Sequence, residues 1–83
     1  MKITLELYAS LMKYLPDGSG MHDTVVDVTE QTTLNELIDQ FHIPRERAHL
    51  VLVNGLFKCT EDRDLPLLKD GDKVAIWPPV AGG

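Results

Sequence analysis

The chain has 83 residues, 43% of them hydrophobic and 25% charged, with a formal net charge of -5. That length supports one domain whose single core buries about 60% of the unfolded surface, and leaves no room for a second. The acidic balance offers no footprint for a nucleic-acid backbone or an anionic lipid surface, and would complement a basic groove on another protein.

Lys2-Ile3-Thr4-Leu5-Glu6-Leu7 alternates polar and apolar residues, the period of a half-buried strand with Ile3, Leu5 and Leu7 inward. Ser10 is placed to cap a short helical turn carrying Leu11, Met12 and Leu15, which Pro16-Asp17-Gly18-Ser19-Gly20 then breaks. Thr24 to Val28 is rich in β-branched residues and reads as a second strand pairing back on the first. Thr33-Leu34-Asn35-Glu36 fits a capping box, and Leu34, Leu37, Ile38 and Phe41 form one apolar helical stripe that is expected to end before Pro44.

Leu50-Val51-Leu52-Val53 and Leu56-Phe57-Lys58-Cys59 flank Asn54-Gly55, a hairpin signal because both turn residues need positive φ. Glu61-Asp62-Arg63-Asp64 reads as a solvated loop and Leu65 to Leu68 as an irregular connection. After the Asp70-Gly71-Asp72 turn, Lys73 to Trp77 alternates again as a fifth strand, which Pro78-Pro79 stops. The order is hairpin, helix, hairpin, final strand, an α+β fold with one mixed sheet of about five strands and one main helix on one face. The domain is expected over residues 1–77, followed by a flexible tail over 78–83.

A single helix covers one sheet face, yet Leu50, Val51, Leu52 and Val53 are all apolar. Either Leu50 and Leu52 or Val51 and Val53 must therefore face outward. Trp77 has the opposite parity to Val74 and Ile76, which puts it on the outer face beside the tail. It reads equally as a docking aromatic or as a tryptophan folded over the sheet end.

The tail Pro78-Pro79-Val80-Ala81-Gly82-Gly83 is stiff at its base and thin at its tip. In polyproline geometry its six residues span about 18 Å, enough to thread a tunnel in a partner and present the Gly83 carboxylate as the one reactive group there. The plainer alternative is a frayed end. An ionised carboxylate is a poor electrophile and needs activation from outside, because the chain has no phosphate loop, metal-ligand spacing or Ser/His/Asp set. The expected role is substrate and carrier rather than catalyst.

No apolar run approaches the roughly 18 residues of a membrane span, and no secretion segment opens the chain, so a cytoplasmic place without membrane contact is expected. Cys59, alone, closes no intrachain disulfide and reads as a small buried hydrophobe. His22, His42 and His49 lack ligand spacing, and no bound metal is expected.

Ile76-Trp77-Pro78-Pro79-Val80-Ala81-Gly82-Gly83, with Lys69-Asp70-Gly71-Asp72-Lys73-Val74 and Val53-Asn54-Gly55 before it, resembles the MoaD/ThiS family of ubiquitin-like β-grasp sulfur carriers. Within it, the Pro-Pro-Val-x-Gly-Gly ending is most similar to the MoaD branch, the small subunits of molybdopterin synthase. The sequence differs at Ile76-Trp77, where paired phenylalanines are common, and in the longer Leu65-Pro66-Leu67-Leu68. The resemblance implies a β-grasp fold and an E1-like enzyme that uses ATP and magnesium to adenylate Gly83. It further implies a sulfur donor enzyme that makes the thiocarboxylate and a larger, MoaE-like synthase subunit where sulfur is passed on. Thiamine thiazole or tungsten cofactor synthesis, and a protein modifier forming isopeptide bonds, are the alternatives it leaves open. A β-grasp docking module with an idle tail is the plainest one. Docking is expected through Trp77, Leu50, Val51, Leu52 and Val53.

Overall fold

The computed structural model describes residues 1–80. Five strands, β1 (Lys2–Leu7), β2 (Asp23–Asp27), β3 (Leu50–Val53), β4 (Leu56–Phe57) and β5 (Lys73–Trp77), form one mixed sheet in the order β2-β1-β5-β3-β4. β1 and β5 run parallel at its centre, and the remaining pairs are antiparallel. The helix α1 (Leu34–Gln40) lies on one face.

Alternation in β1 does what its period predicts. Ile3, Leu5 and Leu7 are buried, and the register sets Leu5 beside Val74 and Leu7 beside Ile76. Leu34, Leu37 and Ile38 of α1 complete the core with Val26, Val51 and Val53. Each fully buried leucine or isoleucine contributes about 1.5–3 kcal/mol relative to exposure, which is what holds so short a helix in place.

The capping box at Thr33 is complete: the Glu36 amide donates to Thr33 Oγ1 at 3.1 Å and the Thr33 amide to Glu36 Oε1 at 3.2 Å. Asn54 and Gly55 carry φ of 51° and 84°, the paired positive values that the tight turn requires.

Five expectations are corrected. α1 stops at Gln40, earlier than Pro44 demands, because His42 adopts φ 62°; its amide then bonds Asp39 and that of Ile43 bonds Ile38, a Schellman closure. Phe41 is consequently only half-buried. Ser10 caps nothing: the 3-10 turn Ala9–Tyr14 follows Tyr8 without a side-chain cap, and Ser10 Oγ instead accepts from Arg47. β4 ends at Phe57, two residues short of Cys59, and β2 starts one residue early at Asp23. Finally, Glu61 to Asp64 is no solvated loop but part of a 3-10 turn, Thr60–Asp64, that buries Arg63.

Candidate functional site

β5 is the central strand that leads into the tail, flanked by β1 on one side and β3 on the other. The Tyr8 amide donates to Ile76 O at 3.2 Å and the His49 amide to Trp77 O at 3.0 Å, so the backbone is held up to the last strand residue. Pro78 is buried, whereas Pro79 and Val80 are exposed. Ala81, Gly82 and Gly83 lie outside the described residues, as does the Gly83 carboxylate.

Trp77 is on the outer face, as its parity requires, and is half-buried. Its indole stacks on the Tyr8 ring at 4.5 Å between centroids and 5° between planes, and Tyr8 stacks in turn on His22 at 4.8 Å. Burial first, and then the Glu6 carboxylate, push the Tyr8 hydroxyl above its ordinary pKa, so Tyr8 stays neutral. Trp77 is therefore a braced surface and not a free side chain.

Parity in β3 resolves in one direction. Val51 and Val53 point into the core, where α1 and the inner faces of β1 and β5 cover them, so they leave the candidate docking surface. Leu50 and Leu52 stay half-exposed on the outer face, where Leu50 pairs with Trp77, and Leu52 lies between Ala75 and Phe57. Phe57, 60% exposed, extends that row to the sheet edge.

Beside the tail base lies an open groove of about 750 Å³, walled by Trp77, Leu50, Pro78 and Pro79 and rimmed by Arg47 and His49. The segment that forms its far side is anchored by Arg63, which sequence reasoning missed. The guanidinium donates to Ala48 O at 2.6 Å and to His49 O at 3.0 Å, immediately before β3. Its signal was a lone cation among Glu61, Asp62 and Asp64, a composition that ordinarily marks a wet surface. Asp64 is itself engaged, its carboxylate accepting from the Asn35 side-chain Nδ2 at 2.7 Å.

Cys59 is half-buried. The Asp62 amide favours its thiolate, but the side chains of Glu61 and Asp62 with burial outweigh it and hold the thiol above its ordinary range, the reverse of an activated nucleophile. Among the described residues no group of three or more His, Cys, Asp or Glu side chains converges on a common point. No helix among them is long and apolar enough to cross a membrane.

The family model described as the ThiS family matches residues 6–83. The molybdopterin synthase sulfur carrier subunit of Drosophila sechellia is 34% identical over 64 residues, 72% of this chain and 71% of that protein. Among solved structures, SAMP1 from Haloferax volcanii superposes with a TM-score of 0.67 at 23% identity, covering 100% of both chains. A chain from the complex of subunits 1 and 2 of the Helicobacter pylori molybdopterin-converting factor does so at 0.59 and 18% identity, again over 100% of both. These two likenesses establish the shared β-grasp fold.

Proposed function

The chain belongs to the ThiS family, and from that membership we propose that it is a sulfur carrier, the small subunit of a molybdopterin synthase, with the Gly83 carboxylate as its working group. The observation that carries this reading is the family match over residues 6–83, which runs through Gly82-Gly83. The name of the Drosophila relative, a sulfur carrier subunit of molybdopterin synthase, supports the finer assignment.

The chemistry follows from what a carboxylate lacks. Ionised Gly83 resists attack, so an E1-like enzyme joins it to the α-phosphate of ATP with magnesium, expelling pyrophosphate and leaving an acyl adenylate. A persulfide on a donor enzyme attacks the acyl carbon and displaces AMP. A further enzyme thiol then breaks the sulfur–sulfur bond, leaving the thiocarboxylate on Gly83 and a disulfide behind. A larger synthase subunit takes the tail and receives the sulfur at its bound pterin precursor. The chain's own part is positional. The tail is rooted in a central strand, with Pro78 buried, so it leaves the domain from a fixed point beside the Trp77 surface.

Appending one alanine after Gly83 tests the reading, since it displaces the acid by about 3 Å and puts a side chain at the tip. The extended protein should keep its thermal stability and lose sulfur loading steeply, because a misplacement of about 1 Å already costs roughly a hundredfold in rate. Loading at the native rate would contradict it. Thiol-resistant conjugates to lysines, in place of a free thiocarboxylate, would assign the chain to protein modification instead.

A further inference from the structure

We propose that the groove beside the tail base is a charge-selective docking surface for an acidic segment of the activating enzyme, with Arg47 as the residue that recognises its carboxylate. The inference rests on the sulfur-carrier reading only in requiring an enzyme that engages the tail.

The argument begins with where the positive charge of an acidic protein is spent. The chain has 8 Lys and Arg against 13 Asp and Glu. Lys2 pairs with Asp27 and Arg45 with Asp39, while Arg63 is consumed by backbone carbonyls. Arg47 is different. It is exposed, it donates to Ser10 Oγ at 2.8 Å, and among the described residues no carboxylate lies within ion-pair range of it.

The bond to Ser10 spans 37 residues of sequence and joins the turn Ala9–Tyr14 to the segment before β3, across the groove. It fixes one of the five N–H donors of the guanidinium and leaves a planar fork for a carboxylate, an arrangement that loses little side-chain freedom on binding. Below the fork, Trp77, Leu50 and Pro78 supply an apolar wall, and His49 adds a polar rim. An apolar centre with a polar, charged rim is the anatomy of a protein interface.

Pro78, Pro79 and Val80 form both the groove wall and the start of the tail. An enzyme holding the tail therefore lies against this surface. The net charge of -5 opposes any acidic occupant at long range, so the attraction assigned here is local to Arg47 and acts within about a Debye length of it. Ser10 and Arg47 together match a carboxylate on a peptide segment whose neighbouring apolar side chain rests on Trp77.

Association of the full chain with the purified adenylating enzyme, followed by stopped flow at low and high salt, tests this. Arg47→Gln should slow association by about tenfold at low salt and Arg47→Glu by more, with both defects shrinking at high salt. Lys69→Glu, an equal change of net charge outside the groove, should move the rate by no more than about threefold. Equal effects of Arg47→Glu and Lys69→Glu would overturn the proposal, since only net charge would then matter. If the dependence on Arg47 disappears in a chain lacking residues 81–83, the occupant is the chain's own carboxylate and the proposal is likewise wrong. A wild-type chain that fails to bind the enzyme at all would remove the sulfur-carrier reading along with it.

Discussion

Replacing Arg63 by Met keeps the unbranched stem in place and deletes the guanidinium that holds the entrance to β3. Arg63 is 8% exposed, and the carbonyl it reaches belongs to Ala48, which is 1% exposed, so water cannot replace the lost donor there. A hydrogen bond from a charged donor contributes about 1.5–3 kcal/mol, and two such bonds are lost. Opposing this, burial pulls the Arg63 guanidinium below its ordinary pKa, its Nε is buried without a partner, and a methionine carries neither cost. The exposed His49 carbonyl side also recovers solvent. The net loss is about 2–4 kcal/mol. For a domain of this size that is a drop of roughly 10–25 °C in melting temperature. Urea unfolding followed by Trp77 fluorescence measures it, because Trp77 is the sole tryptophan and its indole stacks on Tyr8. A loss below about 0.5 kcal/mol, the ordinary range of surface substitutions, would refute the claim that Arg63 clamps the segment before β3.

Thr33→Ala removes one arm of the capping box and should cost about 1 kcal/mol, read as a lower urea midpoint with unchanged slope. Gly55→Ala meets no neighbour within 4 Å, so its cost is that of an alanine held at φ 84°, about 1–2 kcal/mol by the same titration. The Arg45 guanidinium beside Asp39 holds its carboxyl below the ordinary range. A depressed folded pKa contributes stability above the unfolded value, about 3.9, and loses it as pH falls through the folded one. Asp39→Asn should therefore lower the plateau slightly at pH values above about 4 and leave stability unchanged at pH values below the folded pKa, so that the acid limb becomes shallower by the same amount.

What was legible in the sequence is what is local. The alternation of β1, the Thr33 box and the Asn54-Gly55 turn each carry their own geometry in a few adjacent residues, and each is present as read. β3 carried no such signal, because both its faces are apolar and only the position of α1 decides that Val51 and Val53 go inward. Arg63 looked solvated because its partners, Ala48 O and His49 O, lie 15 and 14 residues earlier and are backbone atoms that composition does not reveal. The Tyr8–Trp77 stack depends on the parallel pairing of β1 with β5, a contact between the two ends of the domain. His42 closes α1 in a conformation that glycine usually supplies, so the helix end was invisible to a search for Gly or Pro. The tail motif was plain as a pattern of residues, and its three last residues lie outside the described part of the structure.

The most direct test of the account follows sulfur to its atom. The native chain is incubated with the adenylating enzyme, ATP, magnesium and a persulfide donor, and its intact mass and fragment masses are recorded before and after treatment with a mild thiol. The account predicts one oxygen replaced by one sulfur, located by fragmentation on Gly83, dependent on ATP and stable to the thiol. Sulfur found instead on Cys59 and removed by the thiol, or no ATP-dependent exchange at Gly83, would contradict the claim that this carboxylate is the working group.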